Sequence, residues 1–96
     1  DFFILIHHNN TIFPIIIEFD GDQHFKKHFF FSKQRIYADI IKNNFAITNC
    51  LSIIRCNSVD KFYNIFIKCI QHILTNNTPF YSIPDYNTYI ELINLK

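Results

Sequence analysis

Two apolar runs open the chain, FFILI at residues 2–6 and IFPIII at residues 12–17, and only HHNNT separates them. Asparagine tolerates the positive φ that a tight turn demands, so Asn9-Asn10 predicts a β-hairpin with strands at about residues 1–8 and 11–20. From Ile15 to Ile17 the second strand is apolar at every position. Such a strand is buried on both faces, which calls for layers above and below the sheet. Pro14 has no N–H to give a ladder, so this strand is irregular or at an edge near its start.

The rest of the chain supplies the layers. Residues 21–31 read as a loop rich in Lys, His and Phe. Residues 32–49 turn helical, with Ile36, Tyr37, Ile40, Ile41 and Phe45 as an apolar stripe and Arg35, Asp39 and Lys42 on another face. LSIIRC, at residues 51–56, reads as a short buried strand. Asn57 or Ser58 can cap a second helix reaching about residue 74, with Asp60 favourable in its first turn. Its expected inward stripe is Val59, Phe62, Tyr63, Phe66, Ile70 and Ile73. NNTP stops it, and Tyr86, Tyr89, Ile90 and Ile93 suggest a short C-terminal helix. The expected fold is therefore α/β: a small mixed sheet in β-β-α-β-α order, with helices packed against it.

Bulk properties narrow the function. The 96 residues make one domain, 1–96, and 49% apolar against 18% charged residues excludes a disordered segment. No apolar run approaches the ~20 residues that cross a bilayer, so no membrane association is expected. The chain begins at Asp1 and contains no Met, which reads as a piece of a longer protein. Cys50, Cys56 and Cys69 lack the spacing of a metal finger and read as ordinary buried thiols in a reducing, intracellular compartment, cytoplasm or nucleus. The net charge of +1 gives no global basic field, so any nucleic-acid contact must be local.

Chemistry concentrates in IEFDGDQHF. Alternation puts Glu18 and Asp20 on one face of the strand end and Phe19 on the other. Two carboxylates there make a hard oxygen site suited to Mg²⁺ (or Mn²⁺), which needs few protein ligands and keeps waters for a phosphate substrate. The alternative is an exposed turn at Asp20-Gly21 with Glu18 solvated on an edge. His24 is close enough to fold back and take a proton from water. Asp39 can orient that imidazole, or simply pair with Arg35 one helical turn away. Lys26, Lys27, Lys42 and Arg55 are candidate phosphate contacts, against a default of solvated surface charge.

Taken in order, IIIEFDGDQHF, QRIYADIIKNNF and LSIIRC resemble one branch of the restriction-endonuclease-like PD-(D/E)XK nucleases. That branch contains the very short patch repair endonucleases, related phage homing endonucleases and small E-x-D-G-x-x-H domains. The resemblance spans roughly residues 1–75 and implies a restriction-endonuclease-like core and metal-dependent hydrolysis of phosphodiester bonds in DNA. Carried over by position, it implies Asp1, Glu18 and Asp20 as metal ligands and His24 as general base. It also implies Asp39 as the helical acid, and Lys42 and Arg55 as supporting basic positions. Asp20 stands where the wider superfamily has lysine, as is usual in this branch, which leaves the proton work to His24. The helix that precedes the first strand in the family would lie upstream of Asp1. Two other readings stay open: a catalytically inactive nucleic-acid-binding module of the same fold, and an interaction domain with an incidental acid cluster.

Overall fold

The computed structural model describes residues 2–19 and 32–83. Within them the chain runs β1 (Phe2–His8), β2 (Thr11–Phe19), α1 (Ser32–Thr48), β3 (Ser52–Cys56), α2 (Val59–Asn76) and β4 (Tyr81–Ser82). The described strands form one mixed sheet in the order β1-β2-β3-β4. β1 is antiparallel to β2, while β2–β3 and β3–β4 are parallel. The expected α/β class with a small mixed sheet is present, and among the described residues β4 follows α2. The expected loop at 21–31 and C-terminal helix lie outside the described residues.

The hairpin turn follows from its two asparagines, with φ of 51° at Asn9 and 63° at Asn10. Both are positive, as a two-residue turn between right-twisted strands requires. Pro14 lies opposite Leu5, three pairs back from the turn-flanking His8 and Thr11. Alternation makes this a pair without ladder hydrogen bonds to β1. Pairing with β3 begins only at Ile15, so Pro14 withholds no needed donor on either side.

α2 covers one face of the sheet. Phe13, Ile15 and Ile17 of β2 and Ile54 of β3 form a buried cluster with Cys69 and Ile73 of α2. Each fully buried isoleucine contributes about 1.5–3 kcal/mol relative to exposure. The alternate residues of β3, Ile53 and Arg55, face the opposite side, towards α1. Both crossovers move the chain one strand in the same direction but put their helices on opposite faces, so they have opposite hands.

The helix faces differ from the apolar pattern. Among the described side chains of α1 the buried ones are Ile36, Asp39, Asn43 and Ala46, while Tyr37, Ile41 and Phe45 are exposed. Among the described side chains Asp39 and Asn43 are inward because a charge on β3 meets them; of the expected apolar stripe, Ile36 is buried and Ile40 half-buried. On α2, Phe62, Phe66, Ile70 and Ile73 do turn inward or sit half-buried, whereas Val59 and Tyr63 are exposed. Ser58 is the α2 cap, its Oγ accepting from the Lys61 N–H at 3.2 Å.

β4 was not foreseen. FYSI offers four residues between Pro79 and Pro84, too few for alternation to register. Backbone pairing fixes it instead: the Ile53 N–H donates to the Phe80 carbonyl at 3.1 Å, and the Phe80 N–H donates to the buried Ser52 Oγ at 3.0 Å. No helix among the described residues is long and apolar enough to cross a membrane.

α1 ends on a cysteine in the left-handed region. Cys50 has φ 57°, its N–H donates to the Ile47 carbonyl at 3.2 Å, and the Leu51 N–H donates to the Ala46 carbonyl at 2.9 Å. This paired C-terminal motif normally holds glycine, because a Cβ there costs ~1–2 kcal/mol. Cys56 and Cys69 are buried as anticipated, but Cys50 is exposed. Burial pushes the Cys69 thiol up to about 11.

Two outcomes follow from these cysteines. Cys50→Gly should raise stability by about 1 kcal/mol, read as a higher urea midpoint; an unchanged or lower midpoint would show that the left-handed cysteine is unstrained. In the native chain at pH 8, one thiol should label rapidly with a maleimide, at Cys50. Cys69 should stay unlabelled until unfolding, since it is fully buried and burial also disfavours its thiolate.

Candidate functional site

The parallel alignment of β2 and β3 puts Glu18 beside Arg55, on the α1 face of the sheet and at the carboxyl end of β2. In open α/β sheets this is the end at which ligands bind. Glu18 is 6% exposed, so the solvated-edge alternative does not hold for it. A carboxylate that is so far removed from water needs paired charge. It has two cations: Lys42 Nζ donates to Oε1 at 3.1 Å, and Arg55 Nη1 lies 4.0 Å from the same oxygen.

Arg55 is the hub. Its side chain is 1% exposed, and its Nε donates to Asn43 Oδ1 at 2.6 Å. Its Nη2 forms an ion pair with Asp39 Oδ1 at 3.4 Å. Asp39 and Asn43 are one helical turn apart on α1, which is why both reach the same guanidinium. The planar fork of arginine can address three acceptors at once, which an ammonium cannot do with fixed geometry. Glu18, Asp39, Lys42 and Arg55 together carry no net charge.

The two cations are held differently. Arg55 has partners on α1 and β2 and no exposed surface to speak of. Lys42 sits on the flank of α1 with its side chain 45% exposed. On the other face of the strand end, the Phe19 ring packs between Phe2 at 6.0 Å and Phe62 at 5.4 Å. That aromatic contact ties the end of β2 to α2 and so steadies the backbone that carries Glu18.

Of the residues singled out in the sequence, Glu18, Asp39, Lys42 and Arg55 come together here from two strands and a helix. Asp1, Asp20, His24, Lys26 and Lys27 lie outside the described residues. Asp39 pairs with Arg55, a partner on β3 that neither sequence reading considered. Arg55, considered for phosphate contact, faces Glu18 and α1 and not solvent. Asn43 was missed. Its signal was available: it stands four residues after Asp39 on the same helix face.

Among the described residues no group of three or more His, Cys, Asp or Glu side chains could hold a metal ion. Asp39 is committed to Arg55, so Glu18 is the described carboxylate that could serve. Magnesium binds through one or two carboxylates and retains water. A single carboxylate at a strand end, directly before the segment with Asp20, is compatible with that demand. No family model matches the chain, and neither a curated protein nor a solved structure is similar to it at a significant level.

Arg55→Ala leaves two buried carboxylates facing each other without their shared cation and should destabilise the fold by about 3–5 kcal/mol. Lys42→Ala, at a half-exposed pair, should change stability by no more than about 1 kcal/mol. Urea unfolding of both variants checks the contrast; equal losses would remove the distinction between a locked and a mobile cation.

Proposed function

We propose that the chain is a metal-dependent endonuclease domain that hydrolyses phosphodiester bonds in DNA, of the restriction-endonuclease-like kind. The observation that carries this reading is the convergence of Glu18, Asp39, Lys42 and Arg55 on one site at the carboxyl end of β2. They are the residues that the motif resemblance assigns to one centre. Chance placement of an edge glutamate would not bury it among the other three.

In this reading Glu18, with Asp20 and Asp1, would hold Mg²⁺ or Mn²⁺, which would supply Lewis-acid polarisation of a scissile phosphate. His24 accepts the proton of the attacking water, a task suited to a group whose ordinary pKa is near neutral. Arg55 is a positioning residue: its hydrogen bond to Asn43 and its ion pair with Asp39 hold the guanidinium beside the Glu18 carboxylate. Lys42, together with Lys26 and Lys27, is the cation available to a phosphate. A second reading keeps the fold without catalysis, as a DNA-binding module. The self-neutralised cluster favours it in one respect, since those four charges balance without a metal.

Cleavage of plasmid DNA should require Mg²⁺ or Mn²⁺ and stop in excess chelator. Glu18→Gln should reduce it by orders of magnitude while the far-ultraviolet spectrum stays native. His24→Ala should lower turnover ~10²–10⁴-fold with metal binding retained. DNA binding without metal-stimulated cleavage would favour the inactive module, and cleavage undiminished by chelator would rule out the metal mechanism.

A further inference from the structure

We infer that Lys42 is an internal counter-ion of the Glu18 site, occupying Oε1 until a divalent cation displaces it and thereby freeing its ammonium for a substrate phosphate. The inference rests on the metal-binding reading above and adds a competition that the reading does not contain. Lys42 Nζ donates to Oε1 of Glu18 at 3.1 Å, and Arg55 Nη1 lies 4.0 Å from that atom. A metal ion arriving at this carboxylate meets one or both cations within a few Å, where like charges repel appreciably.

Only one of the two can leave. Arg55 is held by Asn43 at 2.6 Å and Asp39 at 3.4 Å, with its side chain 1% exposed. Moving it would strand two buried acceptors and a buried cation, a large penalty. Lys42 is 45% exposed, and its flexible stem can carry the ammonium into water with little loss. Charge counting points the same way. The four groups sum to zero, so a divalent ion added without departure leaves the cluster at +2, and the departure of Lys42 lowers that to +1. The displaced ammonium remains tethered beside the metal, where the negative charge of a phosphodiester would be placed.

The test is a Mn²⁺ titration of the chain followed by electron paramagnetic resonance of the free ion, for the wild type, Lys42→Met, Lys42→Arg and Glu18→Gln. Lys42→Met should bind Mn²⁺ about fivefold more tightly, the scale of a partly exposed ion pair. Lys42→Arg, which can engage the carboxylate through two N–H groups, should bind it no more tightly than the wild type, and Lys42→Met should nonetheless cleave DNA more slowly. Circular dichroism identifies any variant that has lost its fold, and Lys42→Gln then replaces Lys42→Met. Wild-type binding that is lost in Glu18→Gln but unchanged or weakened in Lys42→Met overturns the counter-ion and leaves the metal site standing. Absence of Mn²⁺ binding in wild type and Lys42→Met alike overturns both.

Discussion

A carboxylate at the end of a covered strand has to be neutralised, and that requirement organises this domain. Glu18 is buried because the parallel pairing of β2 and β3 puts it under α1, beside Arg55. A lone guanidinium would itself be an uncompensated buried charge. α1 answers with Asp39 and Asn43 at helical spacing, so two polar residues occupy positions that a simple core helix would fill with leucine or isoleucine. The two faces of the sheet are therefore held by different physics. α2 packs against Ile15, Ile17 and Ile54 through apolar burial, whereas α1 packs beside Ile53 and docks on Arg55 through directional bonds.

This division bears on what each face can do. Apolar burial tolerates exchange of similar volumes, but a charged network fixes atoms to within hydrogen-bond distance. Replacing a buried ion network by apolar residues is often neutral or stabilising, so stability alone does not explain its presence. On the proposed reading, positioning of the Glu18 carboxylate would account for it. Phe19, immediately after Glu18, anchors the same strand end to α2 through its contacts with Phe2 and Phe62. The carboxylate is thus paired with Lys42 and Arg55 on one face of the sheet, while aromatic packing anchors its strand end on the other.

Much of the fold was legible because its signals are local. Asn9-Asn10 predicts the hairpin through backbone sterics, Ile15 to Ile17 predicts a two-sided strand, and Ser58 predicts the start of α2. What failed was non-local. The apolar residues of α1 gave its inward face only in part: Ile36 lies on it, but Asp39 and Asn43 are turned inward by Arg55, twelve residues beyond Asn43. β4 depends on the Ser52 hydroxyl and on two paired residues, which leave no periodicity to detect. In the site, residue types were legible and the partner on β3 was not: Asp39 could be matched in sequence with Arg35 one helical turn away, but its ion pair with Arg55 crosses from α1 to β3.

The account turns on whether a divalent cation takes the Glu18 carboxylate in place of Lys42. Crystals grown with Mn²⁺ and measured at a wavelength where manganese scatters anomalously would show this directly. The account predicts an anomalous peak about 2.1 Å from a Glu18 carboxylate oxygen, as for a hard divalent ion, with Arg55 still bonded to Asn43 and Lys42 turned away from Glu18. A peak bound elsewhere, with the Lys42–Glu18 ion pair intact, would contradict it.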